Sequence, residues 1–147
     1  MEKKEKLKEY LMKEVEIIQE IINRMALNSF LIKGWAITLV VGTLLLKGNK
    51  NQVLIAFIPL IVFWLLDGYF LWQERMYRKL YEWVIKNRLE TDEYLLDMNA
   101  YRFAKDVDSW LRTTFWKPKD RKVPTLLLLY GSVGILIIIY FLVLIFT

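Results

Sequence analysis

The chain has 147 residues, 56% of them hydrophobic and 15% aromatic, yet 25% are charged, so the charges must be gathered into blocks. It has no cysteine and no histidine, which excludes disulfides, thiolate chemistry, imidazole acid–base catalysis and zinc sites built on those side chains. The net charge of +5 suits the cytoplasmic loops of a membrane protein, and equally the binding of an anionic ligand.

Residues 1–29 open with mixed charge (MEKKEKLKEY) and do not read as a signal peptide. Leu7, Leu11, Val15, Ile18, Ile22 and Met25 recur at spacings of three and four, one face of a helix. Seven basic residues through Lys33 balance six acidic ones, whereas a helix lying on a membrane surface is normally cationic. The spacing therefore predicts a cytoplasmic amphipathic helix that packs on another helix, within an oligomer.

Residues 30–72 predict a transmembrane hairpin. Phe30 to Leu46 and Val53 to Trp72 are apolar, and the polar tip lies near 47–52. Each span carries one charge, Lys33 and Asp67, and counting 14 residues out from the tip on either side puts both at similar depth. A lone charge in a span costs roughly 2.5–3.5 kcal/mol, so pairing or wet surroundings are expected. Three arrangements fit: Lys33 snorkelling while Asp67 caps a helix end, a Lys33–Asp67 pair, or an Asp67 ring facing an aqueous pore. Gly34, Thr38 and Gly42 follow at spacings of four, and Gly131 and Gly134 mark the last span. Such small residues let helices approach closely, within one chain or between copies.

Residues 73–123 form the polar block, with 12 Lys/Arg against 9 Asp/Glu. The run from Gln73 to Leu89 continues the second helix. Thr91 with Asp92 resembles a helix start, and Asp106 or Asp108 suits the cap of a short helix through Trp110 and Phe115. Residues 117–124 read as a basic connector with Pro124 in the first turn of the third span. That span, 124–147, has no charged residue. The fold class is thus an all-α membrane protein with three spans, an N-terminal amphipathic helix and a cytoplasmic helical region. Basic residues flanking the spans predict a topology with the N-terminus inside and the C-terminus outside.

The 73–123 block interleaves aromatic and basic side chains. One reading is an interfacial belt at phosphate level. The other is a site for an anionic, base-containing ligand, built from Trp72, Arg75, Arg78, Lys79, Tyr81, Arg102 and Arg112, since aromatic faces stack bases and guanidinium groups neutralise phosphates. No phosphate loop, HExxH or GxSxG occurs, and no serine has a histidine partner, so no enzyme, cofactor or metal site is predicted.

Several segments together resemble a group of small bacterial three-span membrane proteins: residues 24–38 (RMALNSFLIKGWAIT), 63–75 (FWLLDGYFLWQER), Ala100-Tyr101-Arg102 ahead of Val107-Asp108-Ser109-Trp110, and Leu129-Tyr130-Gly131. This group is similar to membrane effectors that accompany nucleotidyltransferase-type partners in anti-phage systems, the Hailong-type channel effector being the nearest analogue. The resemblance implies a homotetrameric channel gated by a cytoplasmic nucleotide or by short single-stranded DNA, with its ligand site in the 72–116 block. The rival expectation is a membrane anchor or scaffold that docks a cytoplasmic partner.

Overall fold

A computed structural model describes residues 2–46, 50–116 and 125–146. The hairpin tip at 47–49 and the connector at 117–124, Pro124 included, lie outside the described residues. Helix α1 runs unbroken from Glu2 to Leu45. At 1.5 Å per residue it is about 66 Å long, twice the ~30 Å hydrocarbon core of a bilayer. The boundary expected near residue 29 is therefore no break, because nothing between Asn28 and Gly34 stops a helix. A 3-10 segment, Lys50–Ala56, leads into α2, Phe57–Asn87, which returns antiparallel along α1. Pro59 sits in the first turn of α2, where no hydrogen bond is lost. As expected, α2 carries straight on from the apolar segment into the basic block.

The apolar stripe of the first 29 residues packs on another helix as expected, and that helix is α2 of the same chain. Leu11, Val15, Ile18 and Ile22 close on Met76, Leu80 and Val84, with Ala100, Met98 and Phe103 completing a headpiece core. A second core lies at the other end, where Ala36, Val40, Leu60, Leu71, Leu126, Tyr130 and Ile137 meet. It joins α1 and α2 to α4, Thr125–Phe146. Around it the outward faces of α1, α2 and α4 expose Trp35, Leu39, Ile58, Val62, Ile135, Leu136 and Ile139. Three helices are long and apolar enough to cross a membrane, and their bare apolar faces are what lipid would cover.

Between α2 and α4 the chain is mostly irregular. Thr91 does not start a helix; its hydroxyl accepts the Glu93 N–H in a turn. Tyr94 and Leu96 sit at φ 53° and 56°, in the left-handed region that costs a side-chain-bearing residue about 1 kcal/mol or more. Asn99 caps a 3-10 turn, Ala100–Phe103. Helix α3, Trp110–Phe115, is capped by Ser109 rather than by Asp106 or Asp108. Asp108 is engaged instead by Arg75 and Arg112.

Helix α3 lies hard against α2 at Gly68. A Cβ there would stand 2.1 Å from Thr114 Oγ1 and 2.8 Å from Thr114 Cβ. The approach lets Trp64 Nε1 donate to the Thr114 carbonyl at 3.0 Å, and Trp110 Nε1 to the Leu65 carbonyl at 3.3 Å. Gly68→Ala should therefore push α3 off α2 and destabilise the protein by about 1–3 kcal/mol, the usual range for overpacking. Adding Thr114→Ala should restore part of the loss. Thermal unfolding in detergent, followed by tryptophan fluorescence, would show both effects; an unshifted G68A transition would mean that α3 is not held there.

The small residues of α1 do not pack within the chain. Gly34, Thr38 and Gly42 are exposed, and a Cβ at either glycine meets nothing within 4 Å. The Thr38 hydroxyl donates back to the Gly34 carbonyl at 2.9 Å. On α4, Gly134 faces Leu60 and Phe57 of α2, while Gly131 has open space beside it.

Candidate functional site

Two buried polar centres punctuate the α1–α2 pair. The first lies within the second core, toward its headpiece side. Asp67 is fully buried, and its Oδ2 receives Lys33 Nζ at 2.7 Å and the Tyr130 hydroxyl at 3.1 Å. Its Oδ1 accepts the Ser29 hydroxyl, and Lys33 Nζ also reaches the Ser29 Oγ at 2.6 Å and the Ser29 carbonyl at 3.2 Å. Of the three arrangements open to the sequence, the structure contains the ion pair. Both carboxylate oxygens are occupied inside one chain, so Asp67 does not project outward as a ring residue would. Helix geometry explains the meeting: Ser29 and Lys33 are one turn apart on α1, and Tyr130 lies in the second turn of α4. Trp64 stacks on Tyr130 at 5.8 Å and touches Phe115 at 5.1 Å, tying α3 to the same level.

The second centre closes the headpiece. Arg88 and Glu14 are both essentially inaccessible. Arg88 Nε and Nη2 fork onto the two Glu14 carboxylate oxygens, Nη2 at 3.0 Å. Its remaining donors take the carbonyls of Thr91 at 2.9 Å, Glu93 at 2.8 Å and Tyr94 at 3.1 Å. The Leu96 N–H donates to Glu14 Oε1 at 2.7 Å. One guanidinium thus pins the strained loop to both long helices, and its flat face lies 5.4 Å from the Trp83 ring centre. Nearby, Lys3 donates to Asp92 at 3.3 Å and holds that exposed carboxyl below the usual carboxylate range. A lowered carboxyl contributes above its ordinary pKa and loses that contribution as pH falls through the lowered value; with both side chains solvated, the contribution is small.

The residues expected to bind an anionic ligand fall into separate groups. Arg75, Arg78 and Lys79 line one cavity of about 250 Å³ on α2, together with Leu71, Glu74, Glu82 and Val107. Each of the three also has a carboxylate: Arg78 forks on Glu74 at 2.7–2.8 Å, Lys79 meets Glu82 at 2.9 Å, and Arg75 lies 4.0 Å from Asp108 and donates to Thr113 at 3.2 Å. Tyr81 is on the α1 side, where its hydroxyl accepts from Gln19 at 3.2 Å. It shares a groove with Arg78, Glu82, Gln19, Ile22 and Asn23. Trp72 is packed against Tyr69 and Tyr101, with its Nε1 buried and unbonded. Arg102 lies over the rings of Tyr94, Trp83 and Phe103, 4.3–5.5 Å from their centres, and beside Asp97 at 3.5 Å. Arg112 is on α3. Arg78 and Glu82 border both openings, so a ligand reaching Arg75, Lys79 and Tyr81 together would lie across them. Among the described residues, no cluster suited to a metal ion occurs.

Glu14 and Arg88 also carry a signal in the sequence. Glu14 falls on the buried stripe at Leu7 plus seven and Ile18 minus four. Arg88 continues the Leu80–Val84 register by four more residues. A charge of each sign on two buried faces is the mark of a concealed pair. Gly68 and Thr114 give no such mark, because their contact depends on how the loop returns. Comparison of the chain with protein-family models, curated proteins and solved structures finds no match.

Proposed function

We propose that the chain is the subunit of a homo-oligomeric membrane channel, a tetramer, that serves as an anti-phage effector and is gated by a nucleotide or short single-stranded DNA on its cytoplasmic headpiece. The observation that carries this reading is the pair of long helices. Nineteen residues of continuous α1, about 28 Å, separate Glu14 from Lys33, and α2 runs beside them without a break. A ligand that shifts one helix at the headpiece must move the Asp67 centre at the other end, because packed helices slide or rotate as units. Three spans are too few to enclose a water-filled path, so conduction requires several copies. The exposed face of Gly34, Thr38 and Gly42 is open for a neighbouring helix to approach.

The ligand would engage the Arg78–Lys79 edge of α2, exchanging the Glu74 and Glu82 partners for phosphate. Arg78→Gln with Lys79→Gln should weaken binding of a short oligonucleotide about tenfold near 0.1 M salt and flatten its salt dependence by about two phosphates. Fluorescence anisotropy across a salt series measures both, and unchanged affinity and slope would remove this edge from the site. Purified protein tests the channel itself. It should sediment as an oligomer larger than a dimer and pass ions when reconstituted in liposomes; a monomer that leaves liposomes tight contradicts the proposal. One observation favours the anchor reading instead. Met12, Lys13, Glu16, Gln19 and Glu20 line a long open groove on the outer side of α1, suited to a partner helix.

A further inference from the structure

Helix α3 has two unlike faces. Thr113 and Thr114 are buried against α2, whereas Leu111, Phe115 and Trp116 are 58%, 40% and 70% exposed. Leu111 and Phe115 stand one turn apart, as do Arg112 and Trp116, so the four side chains line one groove of about 500 Å³. Arg112 keeps 55% of its side chain exposed and meets Asp108 through Nε at 3.4 Å. Asp108 in turn lies 4.0 Å from Arg75, so a second guanidinium stands just behind.

The depth of this groove is fixed by what α3 touches. Its inner face is bonded to α2 at Trp64 and Leu65 and pressed on Gly68, the level of Asp67 and Tyr130. That is where the bare apolar faces of α1, α2 and α4 give way to the headpiece, and so where hydrocarbon gives way to headgroups. Three large apolar side chains and an outward guanidinium at that depth match an amphiphile with an anionic head. Charge adds to the match: the next residues in sequence include Lys117, Lys119, Arg121 and Lys122. Basic side chains beside a span attract acidic lipids, and aromatic rings anchor at the same level.

We propose that the outer face of α3 is a binding site for an anionic phospholipid, with Arg112 on the headgroup phosphate and the upper acyl chain along Leu111, Phe115 and Trp116. The inference stands apart from the gating ligand, because Arg112 faces the lipid boundary while Arg78 and Lys79 face the headpiece cavity. It holds whether or not the protein conducts ions.

Brominated lipids provide the test, since bromine on an acyl chain quenches nearby tryptophan. Full-length protein would be placed in phosphatidylcholine vesicles containing a minor fraction of brominated phosphatidylglycerol or, separately, brominated phosphatidylcholine. The expected result is extra quenching by the anionic lipid that disappears in Trp116→Phe. Arg112→Gln should lower the preference for phosphatidylglycerol about fivefold, and Lys13→Gln, far along α1, should leave it unchanged. Arg112 is exposed, so its replacement leaves the fold intact, which circular dichroism would verify. Equal quenching by the two lipids, or an undiminished preference in R112Q, overturns the proposal. Abolition of the preference by millimolar inorganic phosphate would also overturn it, by showing a site for free phosphate rather than for lipid.

Discussion

Replacing Arg88 with methionine should be the most damaging single change in the headpiece. The substitution leaves the Glu14 carboxylate enclosed without its counter-ion and strips donors from the carbonyls of Thr91, Glu93 and Tyr94. Breaking a buried ion pair from one side costs about 3–5 kcal/mol, more than the pair itself contributes, because the surviving charge has no water to return to. The loss should first appear locally. The loop at 88–99 holds Tyr94 and Leu96 in a left-handed backbone, and with the guanidinium gone their relaxation is opposed chiefly by the Leu96 N–H bond to Glu14 and the Asp97 N–H bond to the Tyr94 carbonyl. Hydrogen exchange of the Leu96 amide, now donated to Glu14, should rise ahead of global unfolding. Glu14→Leu combined with Arg88→Met should recover much of the stability, since it removes the stranded charge. A double variant as unstable as R88M alone would mean that the carbonyl contacts, not the pair, hold the loop.

The second large effect belongs to Lys33. Lys33→Met leaves Asp67 buried in the junction of three helices with only the Ser29 and Tyr130 hydroxyls as donors, and a loss of about 3–5 kcal/mol follows by the same argument. Asp67→Asn should be milder. Its amide oxygen still accepts from one hydroxyl, and Lys33, 28% exposed, can extend toward water. The order of the two variants is thus the test: K33M should unfold first in a denaturing-detergent titration, and K33M with D67N should lie between K33M and wild type. If D67N proved the weaker protein, the centre would depend on the carboxylate's bonds to Ser29 and Tyr130 more than on neutralising its charge. Both variants bear on the proposed gating, because the centre joins α4 to the two helices that descend from the headpiece.

How much of this was legible beforehand depends on the range of the interaction. The three spans, the continuation of α2 into the basic block and the proximity of Lys33 to Asp67 all follow from spacing along one helix or across one hairpin. The helical stripe of residues 7–25 was visible too, but its partner was not: periodicity identifies a buried face and says nothing of which chain covers it. The Ser109 cap was misplaced by one residue because Asp108 is an equally good capping residue, and only its capture by Arg75 and Arg112 releases the role to its neighbour. The basic residues of 75–112 looked like a single surface in sequence. Folding divides them, because α2 turns by 100° per residue and the intervening loop carries Arg102 and Arg112 to opposite ends of the headpiece. The Gly68–Thr114 contact spans 46 residues and depends on a six-residue helix whose docking no local pattern announces.

In the proposed channel, occupancy of the α2 headpiece edge is felt at the Asp67 centre as a change in ion flow. Current across a planar bilayer containing the purified protein tests it most directly. A short single-stranded oligonucleotide would be added to one side, washed out, and then added to the other. The expected result is a reversible change in current from one side only, abolished by Arg78→Gln with Lys79→Gln while the basal current persists. No current under any condition, or a response that survives in the double variant, would contradict it.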